Sequence, residues 1–354
     1  VKRAIVTTGG TGGHIFPALA VAEELRAMHP GIEVLFVGGE GPEGQAARKA
    51  GIEFKGLSVR GVLGRGIHAV PAMLRMGMSL FTALGIVRGF KPQVVAGFGG
   101  YAGFCPVLAA WMLRVPTAVH EQNSVPGATN RILARIADRV MVAYPDFSRS
   151  FPQGKVLLTG NPVRQEIAGS VRTGSSRVVP RRILVLGGSQ GARAVNRVVV
   201  TAWPRLAAAG CELWHQTGPG DYESVSHLYR GQDNVKVEPF IADMAGAYAW
   251  ADLVIGRAGA STLAELTCVG LASVLVPFPF ATHDHQSVNA SQLEKAGAAV
   301  VVAEKNLNAT VLADTVLALF ADTRKLEAME RAALSLAKPE AARTIAEELT
   351  RLAA

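Results

Sequence analysis

Short apolar runs recur along the chain, each closed by a glycine-rich or polar turn and followed by a stretch whose apolar positions repeat at helical spacing. In the first half they predict strands at Ala4–Thr7, Glu33–Val37, Phe54–Val59, Val94–Gly97, Thr117–His120, Val140–Ala143 and Val156–Leu158. In the second half the strands are expected at Ile183–Leu186, Glu212–Gln216, Val235–Val237, Leu253–Ile255, Ser273–Val276 and Ala299–Val302. Strands alternating with helices are the mark of parallel α/β sheets. Gly169–Arg181, polar, rich in Gly, Ser and Arg and closed by Pro180, reads as the linker. Arg324–Leu352 reads as a helix bent at Pro339 and free to pack back on the first half.

A chain of 354 residues exceeds what one hydrophobic core serves. The expected fold is α/β, two Rossmann-like parallel-sheet domains facing a cleft. Residues 1–165 form the first, with 338–354 packing back on it, and 166–337 the second. Ligands of such sheets sit at the carboxyl ends of strands where the strand order reverses.

Both halves open alike. The apolar run from Arg3 to Thr7 enters Gly9, Gly10, Thr11, Gly12, Gly13 and His14, ahead of a helical stretch at Pro17–Met28. The run from Arg182 to Leu186 enters Gly187, Gly188, Ser189, Gln190 and Gly191, ahead of a helix through Leu206. Glycine lets the backbone approach a ligand closely and the next helix offers free N–H groups, so each turn suits a phosphate-sized anion. Neither carries the G-K-[ST] ending of a nucleotide triphosphate loop. The first also lacks the spaced G-x-G-x-x-G of dinucleotide folds, although Glu40 could mimic the ribose-binding acid.

Charge sharpens the division. Residues 1–160 hold 17 Lys and Arg against 9 Asp and Glu, whereas residues 161–354 balance at 19 and 19. Between Glu53 and Glu121 lie Lys55, Arg60, Arg65, Arg75, Arg88, Lys91 and Arg114 with no acid among them. Such a face suits nucleic acid, an anionic membrane or an acidic substrate, unless it is merely a solvated surface. The best candidate for a membrane span, Ile67–Phe90, is broken by Pro71, Arg75 and Arg88, and the first apolar run enters a glycine turn rather than a signal-peptide cleavage site. The scattered Cys105, Cys211 and Cys268 fit a reducing interior.

Candidate chemistry gathers at the predicted strand ends. His14, at the positive end of a helix, can stay neutral and accept a proton, or can simply cap or pack. Gly97–Gly103 forms another glycine turn, and His120, Glu121, Gln122 and Asn123 crowd one strand end with more hydrogen-bonding groups than a turn needs. In the second half Glu265, a turn beyond Ser261, suits ribose hydroxyls or a helix dipole. His283, Asp284 and His285 point different ways, and no Asp-x-Asp pair exists to hold a divalent ion, so no metal is expected.

Taken together, GGTGGH at 9–14, GFGGY at 97–101, HEQN at 120–123, GNPVR at 160–164, GGSQGA at 187–192, RAGASTLAE at 257–265 and DHQSVNA at 284–290 resemble the MurG-type N-acetylglucosaminyltransferases of bacterial cell-wall synthesis. The resemblance spans nearly the whole chain and implies a GT-B fold and inverting, metal-independent transfer from UDP-N-acetylglucosamine to the 4-hydroxyl of undecaprenyl-diphosphate-linked N-acetylmuramyl pentapeptide, with no cofactor. It implies that Ser189 and Gln190 meet the diphosphate, Ile241 meets uracil through its backbone, Glu265 meets the ribose, and Gln286 and Asn289 read the sugar. Ala260, Ser261, Thr262, Leu263 and Ala264 would line the donor site, completed by Thr11, Gly12, Gly13, Asn123 and Arg164. Gly10, Gly99, Gly100 and Tyr101 would take the acceptor, whose diphosphate the first glycine turn would hold, with His14 as general base and Glu121 as second choice.

A lipid-linked acceptor would put the chain peripherally on the cytoplasmic face of the inner membrane, with no role for nucleic acid. Leu74, Met78, Phe81 and Leu84, with Arg75, Arg88 and Lys91 nearby, could then press into the bilayer surface, or could form an ordinary core helix. A UDP-N-acetylglucosamine 2-epimerase on the same fold and a non-catalytic UDP-sugar-binding membrane scaffold are the competing functions.

Overall fold

The computed structural model describes residues 1–10, 12–58, 69–146, 148–170, 181–188, 191–281 and 284–354, with backbone alone over 69–75. The described chain divides into two compact units, Val1–Arg164 with Lys338–Ala354, and Gln165–Ala337. The crossing at Arg164 lies upstream of the polar stretch read as a linker, because the helix Gln165–Ala168 packs on the helix Ala260–Val269 of the second unit. Residues 171–180 of that stretch lie outside the described residues.

The first unit holds β1 (Arg3–Thr7), β2 (Glu33–Gly38), β3 (Glu53–Gly56), β4 (Val94–Gly97), β5 (Thr117–Glu121), β6 (Arg139–Val142) and β7 (Val156–Leu158). They form one sheet in the order β3-β2-β1-β4-β5-β6-β7, and every pairing is parallel. Strands buried on both faces read as continuous apolar runs, which is why β1, β4 and β5 stand out in sequence. The order reverses between β1 and β4, whose carboxyl ends align at Thr7 and Gly97.

One face of this sheet packs on the helix Gly12–Met28, which starts before Pro17, and on the C-terminal helix Ala341–Leu352. That helix buries Ala342, Ile345, Ala346 and Leu349 against the first helix, the spacing of a single apolar stripe. Arg139 Nε meets Glu348 Oε1 at 2.5 Å and anchors it to β6. In place of one bent helix the tail forms two, Thr323–Ser335 and Ala341–Leu352, with Pro339 in the break. The other face carries the helices Ala69–Phe90 and Gly100–Met112.

The second unit holds β8 (Arg181–Leu186), β9 (Cys211–Gln216), β10 (Val235–Glu238), β11 (Leu253–Gly256), β12 (Ser273–Leu275) and β13 (Ala299–Val301). Their order is β10-β9-β8-β11-β12-β13, again all parallel, with the reversal between β8 and β11. A core built on Val185, Trp203, Leu213, Val274 and Leu312 fills one side. Each unit thus has the reversal that opens a ligand crevice.

Candidate active site

In the first unit the loops after β1, β4 and β5 meet at the reversal, and glycine is what lets them. A Cβ on Gly100, at φ +74°, would lie 1.9 Å from the Gly9 carbonyl oxygen, and one on Gly9 would lie 2.6 Å from Ala102 Cβ. The helix Gly100–Met112 can therefore touch the first turn only with glycine at both places. Thr8 Oγ1 donates to the Gly99 carbonyl at 3.3 Å and ties the two turns together.

His14 is the third residue of its helix, and its ring lies against Gly99, where a Cβ would come within 3.3 Å of Cε1. Its Nδ1 stands 2.9 Å from Gln122 Oε1, while Gln122 Nε2 donates to the Phe98 carbonyl at 3.0 Å. Beside it His120 is fully buried, stacks near Phe98 and points Nε2 at the Gly160 carbonyl, 2.9 Å away. Burial pushes His120 down from 6.5 to about 4, so this ring is neutral and packs as part of the core.

Glu121 is buried and fully occupied within its loop. Its Oε1 accepts from the Asn123 N–H and Nδ2, and its Oε2 from the Gly127 N–H and Asn130 Nδ2, at 2.9–3.2 Å. A carboxylate has about four lone-pair sites. Glu121 therefore shapes the loop that presents Gln122 and Asn123, and the geometry disfavours it as a base. The crowd of polar groups that read as a ligand site is in large part the loop bonding to itself.

Glu43 was not foreseen. It is 2% exposed, opens the helix Glu43–Lys49, and its Oε1 accepts the Gly10 N–H at 2.7 Å. Glu40, the acid just after β2 that could have mimicked a ribose-binding acid, is exposed. The amide expected of Gly10 as an acceptor ligand is thus already given to a carboxylate. Gly12 and Gly13 open the helix that carries His14, Tyr101 is half exposed at the rim, and Arg164 lies over the Phe16 ring at 5.0 Å. Thr11 lies outside the described residues.

The second unit builds its crevice from β8 and β11. Gly188 and Gly191 take φ of +74° and +77°, and a Cβ on Gly191 would lie 2.7 Å from the Thr217 carbonyl. Ser189 and Gln190, between these glycines in sequence, lie outside the described residues. Across the reversal the helix Ala260–Val269 starts at Gly259, an N-cap that has no side chain to bond the first turn, and the positive end of this helix, with Ala260, Ser261 and Thr262 in its first turn, suits an anion. Leu263 is buried beneath and Ala264 lies on the next turn.

Glu265 follows on the same helix, and the buried Tyr248 hydroxyl donates to its Oε2 at 2.8 Å. Sequence gave no signal for Tyr248, which lies on another helix. The buried Ile241 N–H makes a long 3.4 Å bond to Gln216 Oε1, and Gln216 Nε2 reaches the Gly188 carbonyl at 3.2 Å. Gln286 Oε1 accepts the Phe278 N–H at 3.0 Å, so that oxygen holds the loop and the amide nitrogen is the end left for a ligand. Asn289 is fully buried one turn further on. Among the described residues no group of His, Cys, Asp and Glu side chains could hold a metal; His283 lies outside them.

Comparison with known proteins agrees with this architecture. The N-terminal domain of glycosyltransferase family 28 matches residues 4–142 and the C-terminal domain of that family matches residues 182–349. A UDP-N-acetylglucosamine–N-acetylmuramyl-(pentapeptide) pyrophosphoryl-undecaprenol N-acetylglucosamine transferase of Solidesulfovibrio magneticus is 52% identical, covering 100% of this chain and 99% of its own. The crystal structure of Acinetobacter baumannii MurG superposes with a TM-score of 0.78 at 32% identity, covering 99% of this chain and 100% of that one. A UDP-GlcNAc 2-epimerase from Neisseria meningitidis shares the fold alone, with a TM-score of 0.67 at 15% identity over 99% of this chain and 100% of that one. The chain belongs to glycosyltransferase family 28 and, within it, to the MurG-type N-acetylglucosaminyltransferases.

Proposed function

We propose that this chain transfers N-acetylglucosamine from UDP-N-acetylglucosamine to the 4-hydroxyl of an undecaprenyl-diphosphate-linked N-acetylmuramyl pentapeptide, converting lipid I to lipid II in peptidoglycan synthesis. The observation that carries the reading is full-length identity of 52% to a transferase of that name, against 15% to an epimerase of the same fold. The second unit takes the donor: the Gly187–Gly191 turn and the uncapped helix at Ala260 face its diphosphate, Glu265 the ribose, Ile241 the base, and Gln286 and Asn289 the sugar. The first unit takes the acceptor along Gly99, Gly100 and Tyr101.

Chemistry follows from the parts. The acceptor oxygen bonds to the anomeric carbon from the face opposite the diphosphate as the carbon–phosphate-oxygen bond breaks, its electron pair leaving with UDP and inverting the centre. Helix N–H groups aimed at the departing diphosphate stabilise its growing charge. The hydroxyl proton passes to His14, since Glu121 is occupied in its loop. Incubation with UDP-N-acetylglucosamine and a muramyl-diphosphate-lipid analogue should release UDP only when both are present; UDP-N-acetylmannosamine formed without acceptor would speak for the epimerase. His14→Ala should lower turnover about a hundredfold or more while donor KM stays put.

The membrane surface is part of the same proposal. Phe81 is 78% exposed and Met78 61% exposed on the helix Ala69–Phe90, with Arg88 and Lys91 at its end. Leu84 packs partly into the core instead, and the side chains of Leu74 and Arg75 lie outside the described residues. No described helix is long and apolar enough to cross a bilayer. Two bare apolar side chains beside cations suit the interface of an anionic membrane on the side where the UDP-sugar is found, the cytoplasmic face. Sedimentation with anionic but not neutral vesicles is expected, weakened in Phe81→Ser; equal binding to both would remove the membrane role.

A further inference from the structure

We infer that Gln122 is a positioning residue that fixes the His14 imidazole as the tautomer protonated on Nδ1, leaving Nε2 as the proton acceptor. The inference rests on His14 as the base, and deepens that reading by naming which nitrogen acts and what selects it.

The Phe98 oxygen can only accept, so the Gln122 group 3.0 Å from it must be the NH2. That orientation turns Oε1 toward His14, where it too can only accept, so His14 Nδ1 at 2.9 Å must carry the hydrogen. A neutral imidazole has one N–H, and the lone pair is therefore on Nε2. Gln122 is 1% exposed, so water cannot replace either bond. Gly99, at φ +84° with no side chain, leaves the space the ring occupies.

The choice of a carboxamide matters as well. A carboxylate at this place would attract imidazolium and favour the charged ring, the form that cannot accept a proton. A neutral amide oxygen accepts from Nδ1–H before and after Nε2 is protonated, so the ring need not move as the proton arrives. Of the other titratable groups on the surrounding loops, His120 is close enough to His14 for charge on one ring to disfavour charge on the other. His120 is neutral through burial, Glu121 is bonded to Asn123, Gly127 and Asn130, and Glu43 is bonded to Gly10.

Nitrogen-15 histidine labelling with long-range proton–nitrogen correlation reads the tautomer directly, with the His14 signals assigned by their loss in His14→Ala. The native chain should show Nδ1–H. Gln122→Met should admit the Nε2–H form and lower turnover about tenfold or more, with the KM for UDP-N-acetylglucosamine within about twofold. Gln122→Glu, closest in shape, should move the acid limb of the turnover profile to higher pH by about one unit. Native Nε2–H, or an unchanged tautomer and turnover in Gln122→Met, would overturn the assignment. A changed tautomer with unchanged turnover would instead overturn His14 as the base, which undiminished turnover in His14→Ala would show independently.

Discussion

Acidification should destabilise the second unit through a single buried histidine. His215 lies in β9, fully buried, with Nε2 3.0 Å from Asn196 Oδ1 and Nδ1 3.4 Å from the Tyr229 hydroxyl. Asn196 Nδ2 donates to the Thr217 carbonyl and to Asp221, each at 2.9 Å, which turns its oxygen toward the histidine. His215 thus donates from Nε2 and accepts the Tyr229 hydroxyl on Nδ1, and both nitrogens are satisfied only while the ring is neutral. Desolvation lowers its pKa from 6.5 to about 4. The folded value lies below the unfolded one, so between them the unfolded chain binds the extra proton. The stabilisation is complete above about pH 6.5 and is lost as pH falls toward about 4.

At about 1.4 kcal/mol per unit, the span from 6.5 down to pH 5 amounts to about 2 kcal/mol. Urea unfolding at pH 8 and pH 5 measures it, followed by tryptophan fluorescence in a Trp111→Phe background, because the other three tryptophans, Trp203, Trp214 and Trp250, all lie in the second unit. His215→Gln keeps a donor toward Asn196 and cannot titrate. Whatever its absolute stability, its loss between the two pH values should be smaller than the native loss by about 2 kcal/mol. Equal losses in the two proteins would refute the linkage.

Three substitutions probe the rest of the framework. Gly100→Ala places a Cβ 1.9 Å from the Gly9 carbonyl at a positive φ, and should cost the first unit about 3 kcal/mol in thermal or urea unfolding and lower turnover more than about tenfold; an unperturbed melt would contradict the close approach. Tyr248→Phe removes the hydroxyl that orients Glu265, and should raise the KM for UDP-N-acetylglucosamine about three- to tenfold with turnover nearly unchanged; a fall in turnover at constant KM would separate Glu265 from donor binding. Glu348→Ala frees Arg139 and Arg351 at the C-terminal helix, and should cost about 1–3 kcal/mol in the first unit while leaving UDP affinity intact as read by calorimetry.

What was legible in the sequence follows from burial. Every expected strand is present; the inner ones are legible because parallel strands covered on both faces are apolar along their length, while β3, β7 and β10 lie at sheet edges and are partly exposed, and β3 stops at Gly56. Side chains that bond to their own loop are invisible to such patterning. Glu121 looked like a reactive carboxylate because nothing in sequence reveals that Asn123, Gly127 and Asn130 all turn their donors on it. Of the apolar positions read at 74, 78, 81 and 84, the last two divide because a step of three residues falls about 60° short of a full turn, so the row passes from solvent at Met78 and Phe81 to partial burial at Leu84. Tyr248 and Gln122 act across elements, and their partners become apparent only when the strands are set side by side.

The two glycine turns show how far equal sequence motifs can diverge in physics. Behind the first, a buried carboxylate takes the Gly10 N–H; across from the second, the Ala260 helix starts at Gly259, an N-cap with no side chain. Glu43 repels an anion at Gly10 and competes for its amide, whereas the uncapped helix attracts one. The first turn therefore has a steric task, letting the Gly100 helix reach Gly9 and setting the His14 ring against Gly99 and Gln122. A lipid-linked diphosphate would have to be met by other groups of that unit, and the UDP diphosphate by the second turn. Glu43→Gln separates these tasks, since it keeps an acceptor for Gly10 while removing the charge. Acceptor KM falling in that variant would mean the carboxylate opposes the acceptor's phosphates, and an unchanged value would mean they bind elsewhere.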